Sequence, residues 1–320
     1  MESKLLSVIL LSYYSGEKIP SAYYRLKTVL DNENIPFELV VMDDGSKDNS
    51  YQIALDLEQK EPNVRAYQLS KNVTSHYSIF AGLSKCKGAC AIPIPDDEQQ
   101  PYDSIVAMYR LWEKGEKVII PFRKTRDDGW LSNAISDFFY RIMTRYSEVK
   151  FPKGGADIFF IDRELIDLMN TKIRPIHTTS ITEVLRLGFN PYFLPYERPR
   201  GNNKKSRWTL KKKLRLASDF LFSSSTFPIK IISGLGLFFS LFSFFLILFY
   251  SFLYFFADET SLNINKIPGW TSTIVFIAFF SGLILFSLGI IAQYIWMIYE
   301  EVKNRPGFII KQKPNEPKHD

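Results

Sequence analysis

Residues 40–46 read VVMDDGS, an apolar run that ends in two adjacent carboxylates, Asp43 and Asp44, before a glycine. Such a run is typical of a strand buried on both faces, and the glycine that follows it favours a turn. In an open parallel sheet, ligands bind just beyond the carboxyl ends of the strands. The two acids are therefore predicted to lie at a binding site.

A second apolar run repeats this arrangement at residues 89–97, ACAIPIPDD, which ends in Asp96 and Asp97. Two strands that bring carboxylates to one edge of a sheet indicate a site for a nucleotide and a divalent metal. For each acid, an ordinary role in a turn or a helix cap is the alternative, because aspartate commonly serves there. Asp48, near the start of a predicted helix, is interpreted as such a cap.

Strands and helices alternate through the first part of the chain. This alternation predicts the α/β class, with a doubly wound, mostly parallel sheet that helices cover on both faces. The predicted strands are Leu5–Leu11, Phe37–Met42, Val64–Leu69, Ala89–Ile94 and Lys117–Pro121. The predicted helices are Ile19–Leu30, Ser50–Gln59, His76–Lys85 and Tyr102–Trp112. We expect this Rossmann-like domain to occupy residues 1–200.

Two long apolar segments lie in the last third of a 320-residue chain that is 46% hydrophobic and 15% aromatic. Residues 231–257 and 271–299 contain no charged side chain. Each run exceeds the roughly 20 residues that a helix needs to cross a bilayer. We therefore expect a hairpin of two transmembrane helices, 229–257 and 271–299, joined by an external loop at 258–270. A pair of buried core helices is the alternative, which the lack of a polar face disfavours.

Basic residues flank both apolar runs on the sides that face the chain ends. Residues 204–215 and 303–313 are rich in lysine and arginine, whereas the connecting loop holds two acids and one lysine. Cytoplasmic flanks carry such an excess of basic residues. The N-terminus also lacks the pattern of a signal peptide. We expect a multi-pass protein of the inner (plasma) membrane, with the soluble domain and a tail at residues 300–320 in the cytoplasm.

The net charge of +6 does not require a nucleic acid as partner. Much of the basic excess flanks the apolar runs, where anionic membrane lipid is the simpler partner. The chain has two cysteines, Cys86 and Cys90, and a reducing compartment makes free thiols the expectation. The sequence leaves the oligomeric state open, and a homo-oligomer is compatible with it.

Two further segments have apolar residues at helical spacing, Leu131–Tyr146 and Thr209–Phe222. The first either lies on the membrane surface or packs on the sheet. The second belongs to a basic juxtamembrane segment, 201–228, where an interfacial helix is favoured. Residues 199–207, PRGNNKKSR, are interpreted as a loop over the site, with a solvated linker as the alternative.

Several short motifs follow one another along the chain. They are VMDDGSKD (41–48), LSKN (69–72) with His76 and AGL (81–83), DEQQP (97–101), RKTR (123–126), ADIFFIDR (156–163), KSRWTL (205–210) and IYEEVKNRP (298–306). In order and spacing they resemble the family 2 glycosyltransferases of the GT-A fold. The resemblance is to polyprenyl-phosphate glycosyltransferases related to dolichyl-phosphate mannose synthase and the bacterial GtrB-type enzymes, and it runs nearly end to end.

The resemblance implies transfer of a sugar, with inversion, from a nucleotide-sugar to a polyprenyl phosphate such as undecaprenyl phosphate. A UDP-sugar is the favoured donor, and the product would serve cell-surface glycan synthesis or modification. The acceptor phosphate has a second pKa of about 6, so it is already ionised and needs cations rather than a base. The alternatives are transfer to another lipid, a polymerising synthase, or a membrane-anchored pseudoenzyme that only binds sugar nucleotides.

The resemblance also implies roles for individual residues. The nucleotide is assigned to Asp43, Asp44, Ser12, Tyr14 and Lys71, and the metal, Mg²⁺ or Mn²⁺, to Asp97 with Asp96. The catalytic set is Asp97, Asp157, Arg123 and Arg126, and the acceptor phosphate is assigned to Arg200, Lys204 and Arg207. Arginine suits phosphate because its guanidinium pairs with two oxygens at once.

Three departures from the family pattern stand out. Pro95 replaces the first aspartate of the metal motif, and Asp96 is the residue that would substitute for it. Residues 11–17, LSYYSGE, replace the usual PxYNE, which changes the expected contacts to the base. Phe159 replaces an arginine, and a polar contact to the substrate is expected to be lost there.

Overall fold

The computed structural model describes residues 4–96, 101–123, 158–176, 178–196, 227–256 and 269–313. Six predicted site residues lie outside these ranges: Asp97, Arg126, Asp157, Arg200, Lys204 and Arg207. The predicted amphipathic segments Leu131–Tyr146 and Thr209–Phe222 also lie outside them, so both remain predictions.

A seven-stranded sheet forms the centre of the first part of the chain. The strands are β1 (Leu6–Ser12), β2 (Phe37–Asp43), β3 (Val64–Gln68), β4 (Cys90–Pro95), β5 (Val118–Arg123), β6 (Phe160–Asp162) and β7 (Tyr192–Tyr196). Their order across the sheet is β3-β2-β1-β4-β6-β5-β7. Only β6 is antiparallel to its neighbours, so the carboxyl ends of the other six strands share one edge.

Helices connect the strands and cover both faces. They are α1 (Lys18–Asn32), α2 (Ser50–Lys60), α3 (Ser75–Leu83), α4 (Tyr102–Glu113), α5 (Arg163–Lys172) and α6 (Ser180–Arg186). The predicted α/β class with a mostly parallel sheet is confirmed. The five predicted strands and four predicted helices all form, with ends that differ from the predicted ones by at most two residues. Strands β6 and β7 and helices α5 and α6 were not predicted.

Side chains of the central strands alternate between two apolar clusters, one on each face of the sheet. In β1, Leu6, Val8 and Leu10 belong to the cluster on the side of α1, α2 and α4. Ile9 faces the other way, into the cluster that includes residues of α3, α5 and α6. This alternation follows from the pleat, in which successive side chains point to opposite faces. The doubly wound layering is thus confirmed within the described residues.

By compactness the chain divides into two units, Met1–Ser224 with Arg305–Asp320, and Ser225–Asn304. The second unit holds two long helices, α7 (Phe227–Phe256) and α8 (Gly269–Val302). They contact each other through phenyl rings, since the Phe239 ring lies 5.3 Å from that of Phe279 and 5.7 Å from that of Phe280. No sequence pattern had indicated that residues 305–313 belong to the first unit.

One stretch among the described residues, Phe279–Val302, is long and apolar enough to cross a membrane. Its mean hydropathy is 1.8, and none of it is buried within the protein. In α7, Phe227–Phe239 is a shorter apolar segment. The described residues thus support one candidate span, and the predicted hairpin of two spans is not established by them.

Candidate functional site

The last residues of three neighbouring strands form a row at the carboxyl edge of the sheet. Ser12 of β1 lies beside Asp43 of β2, which lies beside Gln68 of β3. The backbone continues this pairing past the strands, where the Asp44 amide donates to the Ser12 carbonyl and the Leu69 amide donates to the Asp43 carbonyl, each at 2.8 Å. The row is therefore rigidly placed where ligands of α/β proteins bind.

Asp43 is fully buried and both of its carboxylate oxygens are used. Oδ1 accepts from Ser46 Oγ at 2.5 Å, and Oδ2 accepts from the Ser46 amide at 2.9 Å and from Gln68 Nε2 at 2.8 Å. Both partners are neutral donors. Asp43 thus fixes the turn after β2 and the end of β3, which supports the site without requiring direct contact with a ligand.

The turn after β2 depends on Gly45, which has a backbone φ of 71°. A Cβ at this position would lie 2.6 Å from the carbonyl carbon of Lys71 and 2.9 Å from the amide nitrogen of Asn72. Glycine is required for both reasons, because other residues are strained at this φ and no side chain would fit. The close approach brings the exposed Lys71 next to the two acids.

Asp44 holds the loop between β3 and α3. Its carboxylate accepts from the amides of Val73 at 2.8 Å and Thr74 at 3.1 Å. Burial raises the pKa of Asp44 to about 6, although the amide donors of Val73 and Thr74 oppose this rise. A carboxylate that is costly to ionise, next to an open edge, is typical of a functional position.

Two exposed tyrosines follow β1 at the same edge. Tyr13 and Tyr14 pack edge to face with ring centroids 4.6 Å apart, and Tyr14 has a positive φ of 52°. The Tyr14 amide donates to Ser46 Oγ at 3.0 Å, which ties this turn to the one after β2. Desolvation, and then Tyr14 and Asp44, raise the pKa of Tyr13. The pair offers aromatic surface beside the buried row.

The residue that follows β4, Asp96, is hydrogen-bonded to the turn after β1. Ser15 Oγ accepts from the Tyr13 amide at 3.0 Å and donates to Asp96 Oδ2 in a short hydrogen bond. Asp96 is thus brought to the β1 turn, as the predicted site requires. No cluster of three or more metal-ligating side chains occurs among the described residues. One carboxylate at the edge, with Asp97 following it in the chain, fits a metal held partly by substrate oxygens.

Ser12 carries a hydroxyl that is buried at the centre of this edge. Ser12 is 2% exposed, and its Oγ has no hydrogen-bond partner within the described part of the chain. Buried polar groups are rarely left unsatisfied, because the lost hydration costs free energy. The hydroxyl therefore suits a ligand or a water molecule that reaches the end of β1.

Other predicted positions are partly described. The backbone of Arg123 ends β5 and pairs with Tyr196 of β7, which places this residue at the shared carboxyl edge. Pro95 pairs with Leu11 of β1, and β6 reaches only Cys90 and Ala91 of β4. Within the described residues no strand pairs with Pro95 on the side away from β1, so the missing amide hydrogen of the proline interrupts no described ladder there.

One of the three departures from the family pattern lies in the core. Phe159, which was expected to mark a lost polar contact with the substrate, is fully buried in the apolar cluster on the α3, α5 and α6 side. This side chain packs in the core, because the strand that begins at Phe160 turns it inward. The expected loss of a substrate contact stays a prediction.

Several residues that build the edge were not predicted from the sequence. They are Gln68, Ser46 and Ser15, which bind Asp43, Tyr14 and Asp96. Gln68 is a polar residue at the end of β3, the strand beside the one that carries the predicted acids. That position is the signal by which Gln68 could have been found. No local pattern distinguishes the two serines from ordinary turn residues.

Comparison with known proteins decides the family. The profile described as glycosyl transferase family 2 matches residues 7–168. The chain belongs to this family. The matched range contains β2–β6 and all of β1 except Leu6, and with them the carboxyl ends of β1–β5. This family 2 glycosyltransferase is an enzyme, and its α/β sheet is the arrangement that the GT-A resemblance implied.

Relatives match over nearly the whole chain. An uncharacterized glycosyltransferase of Synechocystis sp. is 28% identical over 307 residues, which cover 95% of this chain and 94% of that protein. The SfII prophage-derived bactoprenol glucosyl transferase of Shigella flexneri is 29% identical over 314 residues, covering 96% and 97%.

Among solved structures, one similar protein is the glucosyl-3-phosphoglycerate synthase of Mycobacterium tuberculosis in complex with Mn²⁺, UDP-glucose and phosphoglyceric acid. Its TM-score is 0.46 with 16% sequence identity, over 68% of this chain and 79% of that chain.

Proposed function

We propose that this family 2 glycosyltransferase transfers a sugar from a nucleotide-sugar, with UDP as the favoured nucleotide, to a polyprenyl phosphate. The reaction inverts the anomeric centre and takes place at the cytoplasmic face of the membrane, for synthesis or modification of a cell-surface glycan. The observation that carries the proposal is the carboxyl edge, where Ser12, Asp43 and Gln68 form a row beneath two exposed tyrosines.

The donor nucleotide suits this edge for chemical reasons. Tyr13 and Tyr14 present aromatic faces on which a base can stack, while the Ser12 hydroxyl has no hydrogen-bond partner in the part of the chain that the structure describes. Asp44 combines a raised pKa with a position next to Lys71, whose ammonium can approach a phosphate. We therefore assign nucleotide binding to Ser12, Tyr14, Asp44 and Lys71, and a supporting role to Asp43.

The acceptor assignment is supported by relatives and by the helices. Several relatives that match over nearly their whole length are named bactoprenol glucosyl transferases. A polyprenyl acceptor requires a site at a membrane, and the apolar stretch Phe279–Val302 is compatible with one. Because the acceptor phosphate is already ionised, the enzyme needs cations to position it. We assign this role to Arg123, Arg126, Arg200, Lys204 and Arg207.

A divalent metal, Mg²⁺ or Mn²⁺, would be held by Asp97 with help from Asp96. When bound, it would neutralise the charge of the departing diphosphate. Asp96 accepts a hydrogen bond from Ser15, so its carboxylate is oriented by the turn after β1. Asp157 would orient the sugar, and its use as a general base is not required.

We further propose that α7 and α8 form the two-span hairpin, with both chain ends in the cytoplasm. A reporter enzyme fused after Asp320 should then be active on the cytoplasmic side, and one inserted near Asn263 should report the opposite side. If both reporters mark the same compartment, the hairpin is refuted.

The function itself is tested with the purified full-length protein in detergent. Undecaprenyl phosphate and a panel of radiolabelled nucleotide-sugars are supplied with Mg²⁺ or Mn²⁺, and lipid-linked sugar is extracted and counted. We expect one UDP-sugar to give labelled lipid. Transfer to a different lipid, such as diacylglycerol, would instead support the alternative acceptor. Nucleotide binding without transfer from any donor would support the pseudoenzyme.

A further inference from the structure

The chain that follows α8 returns to the sheet beside the candidate site. Ile310 forms an antiparallel bridge with Leu69, the residue just after β3. The Ser70 amide donates to the Ile309 carbonyl and the Lys311 amide donates to the Gln68 carbonyl, each at 2.8 Å. Because β3 is the outermost strand in this part of the sheet, its end would otherwise expose unpaired backbone groups. Residues 307–313, here called the returning segment, cover this edge.

The returning segment is closely packed against the domain. A Cβ on Gly307 would lie 2.3 Å from the carbonyl oxygen of Pro175 and 2.8 Å from the ring of Tyr77. Phe308 and Ile310 pack against the apolar cluster on the α3 side of the sheet. The segment is therefore held by backbone pairing and by apolar burial together, and it forms part of the folded domain.

A continuous path of hydrogen bonds runs from this segment to the turn that carries the exposed tyrosines. Lys311 Nζ donates to Gln68 Oε1 at 2.8 Å, and Gln68 Nε2 donates to Asp43 at 2.8 Å. Asp43 in turn accepts from Ser46 Oγ, which accepts from the Tyr14 amide. Each hydrogen bond of the path positions the group that makes the next hydrogen bond.

Only one orientation of the Gln68 amide satisfies both of its hydrogen bonds in this path. An ammonium can only donate and a carboxylate can only accept, so the Gln68 amide must turn its oxygen to Lys311 and its nitrogen to Asp43. Asp43 is buried, and its donors among the described residues are neutral. Lys311 is a cation connected to Asp43 through one intervening side chain, that of Gln68. A charged donor at one end of the amide strengthens the hydrogen bond at the other end.

We infer that Lys311 is a positioning residue for the donor nucleotide. Through Gln68 and Asp43 it holds Ser46 and the Tyr14 turn in the arrangement that accepts the base and ribose. The inference rests on the proposed nucleotide site at this edge. It adds that the site is completed by a residue 243 positions further along the chain than Gln68.

The same segment supplies a matched control. Lys313 Nζ pairs with Glu58 at 2.5 Å and lies 4.7 Å from the centroid of the Tyr67 ring. Lys313 therefore fastens the segment to the domain, but none of its contacts joins the path to Asp43. Loss of Lys313 removes the same charge and a comparable anchor, so it reports what loosening the segment does by itself.

The test compares Lys311→Met with Lys313→Met in the full-length protein in detergent. UDP affinity is measured by titration calorimetry, the KM values for donor and acceptor by transfer assays, and folding by melting temperature. We expect Lys311→Met to weaken UDP binding and raise the donor KM by about threefold to tenfold, with the acceptor KM unchanged. Lys313→Met should change UDP binding less than about twofold, and Lys311→Arg should recover most of the loss.

A double-substitution cycle sharpens the result. If Lys311 acts through Gln68, then Lys311→Met should add little to the effect of Gln68→Met on UDP affinity. Equal weakening by the Lys311 and Lys313 variants would overturn the inference in favour of a general anchoring role, and unchanged affinity in Lys311→Met would also overturn it. Absence of UDP binding by the wild-type protein would refute the proposed nucleotide site itself, and the inference would fall with it.

Discussion

The two ends of strand β2 each bury a carboxylate, and the two are held in different ways. Glu38, at the amino end, accepts from Ser7 Oγ at 2.5 Å and from the Lys87 amide at 2.6 Å, and forms an ion pair with Arg65. Among the described residues, the donors to Asp43, at the carboxyl end, are all neutral and come from Ser46 and Gln68.

The difference supports the proposal that the carboxyl end of β2 binds a ligand, whereas the amino end stabilises the fold. At the amino end the buried charge has a countercharge in direct contact, and its hydrogen bonds close the strand connections. At the carboxyl end the neighbouring Ser12 hydroxyl has no partner in the described structure, and the raised pKa of Asp44 shows that ionising it is costly. Unsatisfied groups of this kind reduce stability and are retained where a ligand completes them.

The largest expected effect concerns the amino end. Glu38→Ala leaves Arg65 without its partner in a site where the two side chains are 8% and 18% exposed. Removing one partner of such a pair lowers the free energy of unfolding by about 3–5 kcal/mol. We expect a loss of about 3 kcal/mol here, because Arg65 can still reach solvent. The melting temperature should fall while the donor KM stays constant. Glu33→Ala, which removes an exposed acid, is the control and should change stability little. An unchanged melting temperature for Glu38→Ala would contradict the stabilising role.

For the proposed metal ligands we expect the reverse, a large loss of transfer activity with little change in stability. Asp97→Asn keeps the shape and removes the charge, so transfer should fall at least about a hundredfold, or about 2.7 kcal/mol, with the melting temperature unchanged. Steady-state transfer assays with added metal measure it. Asp96→Asn should have a smaller effect through weaker metal affinity. Full activity in EDTA would remove the metal from the proposal.

Ser12→Ala tests the unpartnered hydroxyl. No hydrogen bond to the described protein is lost, so the melting temperature should stay the same or rise slightly. UDP affinity should fall about threefold to tenfold, which corresponds to about 1 kcal/mol. Ser46→Ala is the contrast, because it breaks bonds to Asp43 and Tyr14 and should lower stability and affinity together. A loss of stability in Ser12→Ala without a loss of affinity would mean that the hydroxyl serves the fold.

The raised pKa of Asp44 predicts a pH dependence of stability. The pKa of Asp44 is about 6 in the folded protein and about 3.9 when unfolded. The folded state therefore binds this proton more tightly, so the contribution of Asp44 is most favourable below about pH 4 and is lost as pH rises through about 6. Melting temperatures of the wild type and Asp44→Asn, measured from pH 4 to 8, should converge or cross in that interval and run parallel above it. Parallel curves throughout would contradict the raised pKa.

Much of the edge could be predicted from local sequence. An apolar run that stops at Asp43 and Asp44 defines both the strand and its end, because burial on two faces demands apolar residues and the turn permits acids. The same reasoning located β4 and Asp96. Periodicity succeeds here because each signal lies within a few neighbouring residues.

What the sequence did not predict depends on distant contacts or on very short elements. Strand β6 has three residues, FID, which are too few for an alternating pattern to be recognised. It also runs antiparallel to its neighbours, whereas the sequence pattern had predicted a parallel sheet. The partnership of Gln68 and Lys311 joins residues far apart in the chain, and nothing near either residue indicates the other. The burial of Phe159 in the core was likewise not predicted, because it depends on the short strand β6.

The returning segment also imposes an order of events during synthesis. Gln68 leaves the ribosome 243 residues before Lys311. At roughly 5–20 residues per second, the gap amounts to about 10–50 s. Throughout this interval the outer side of the β3 end has no cover from residues 307–313. The edge at the end of β3 is therefore completed only after both long apolar helices have been translated.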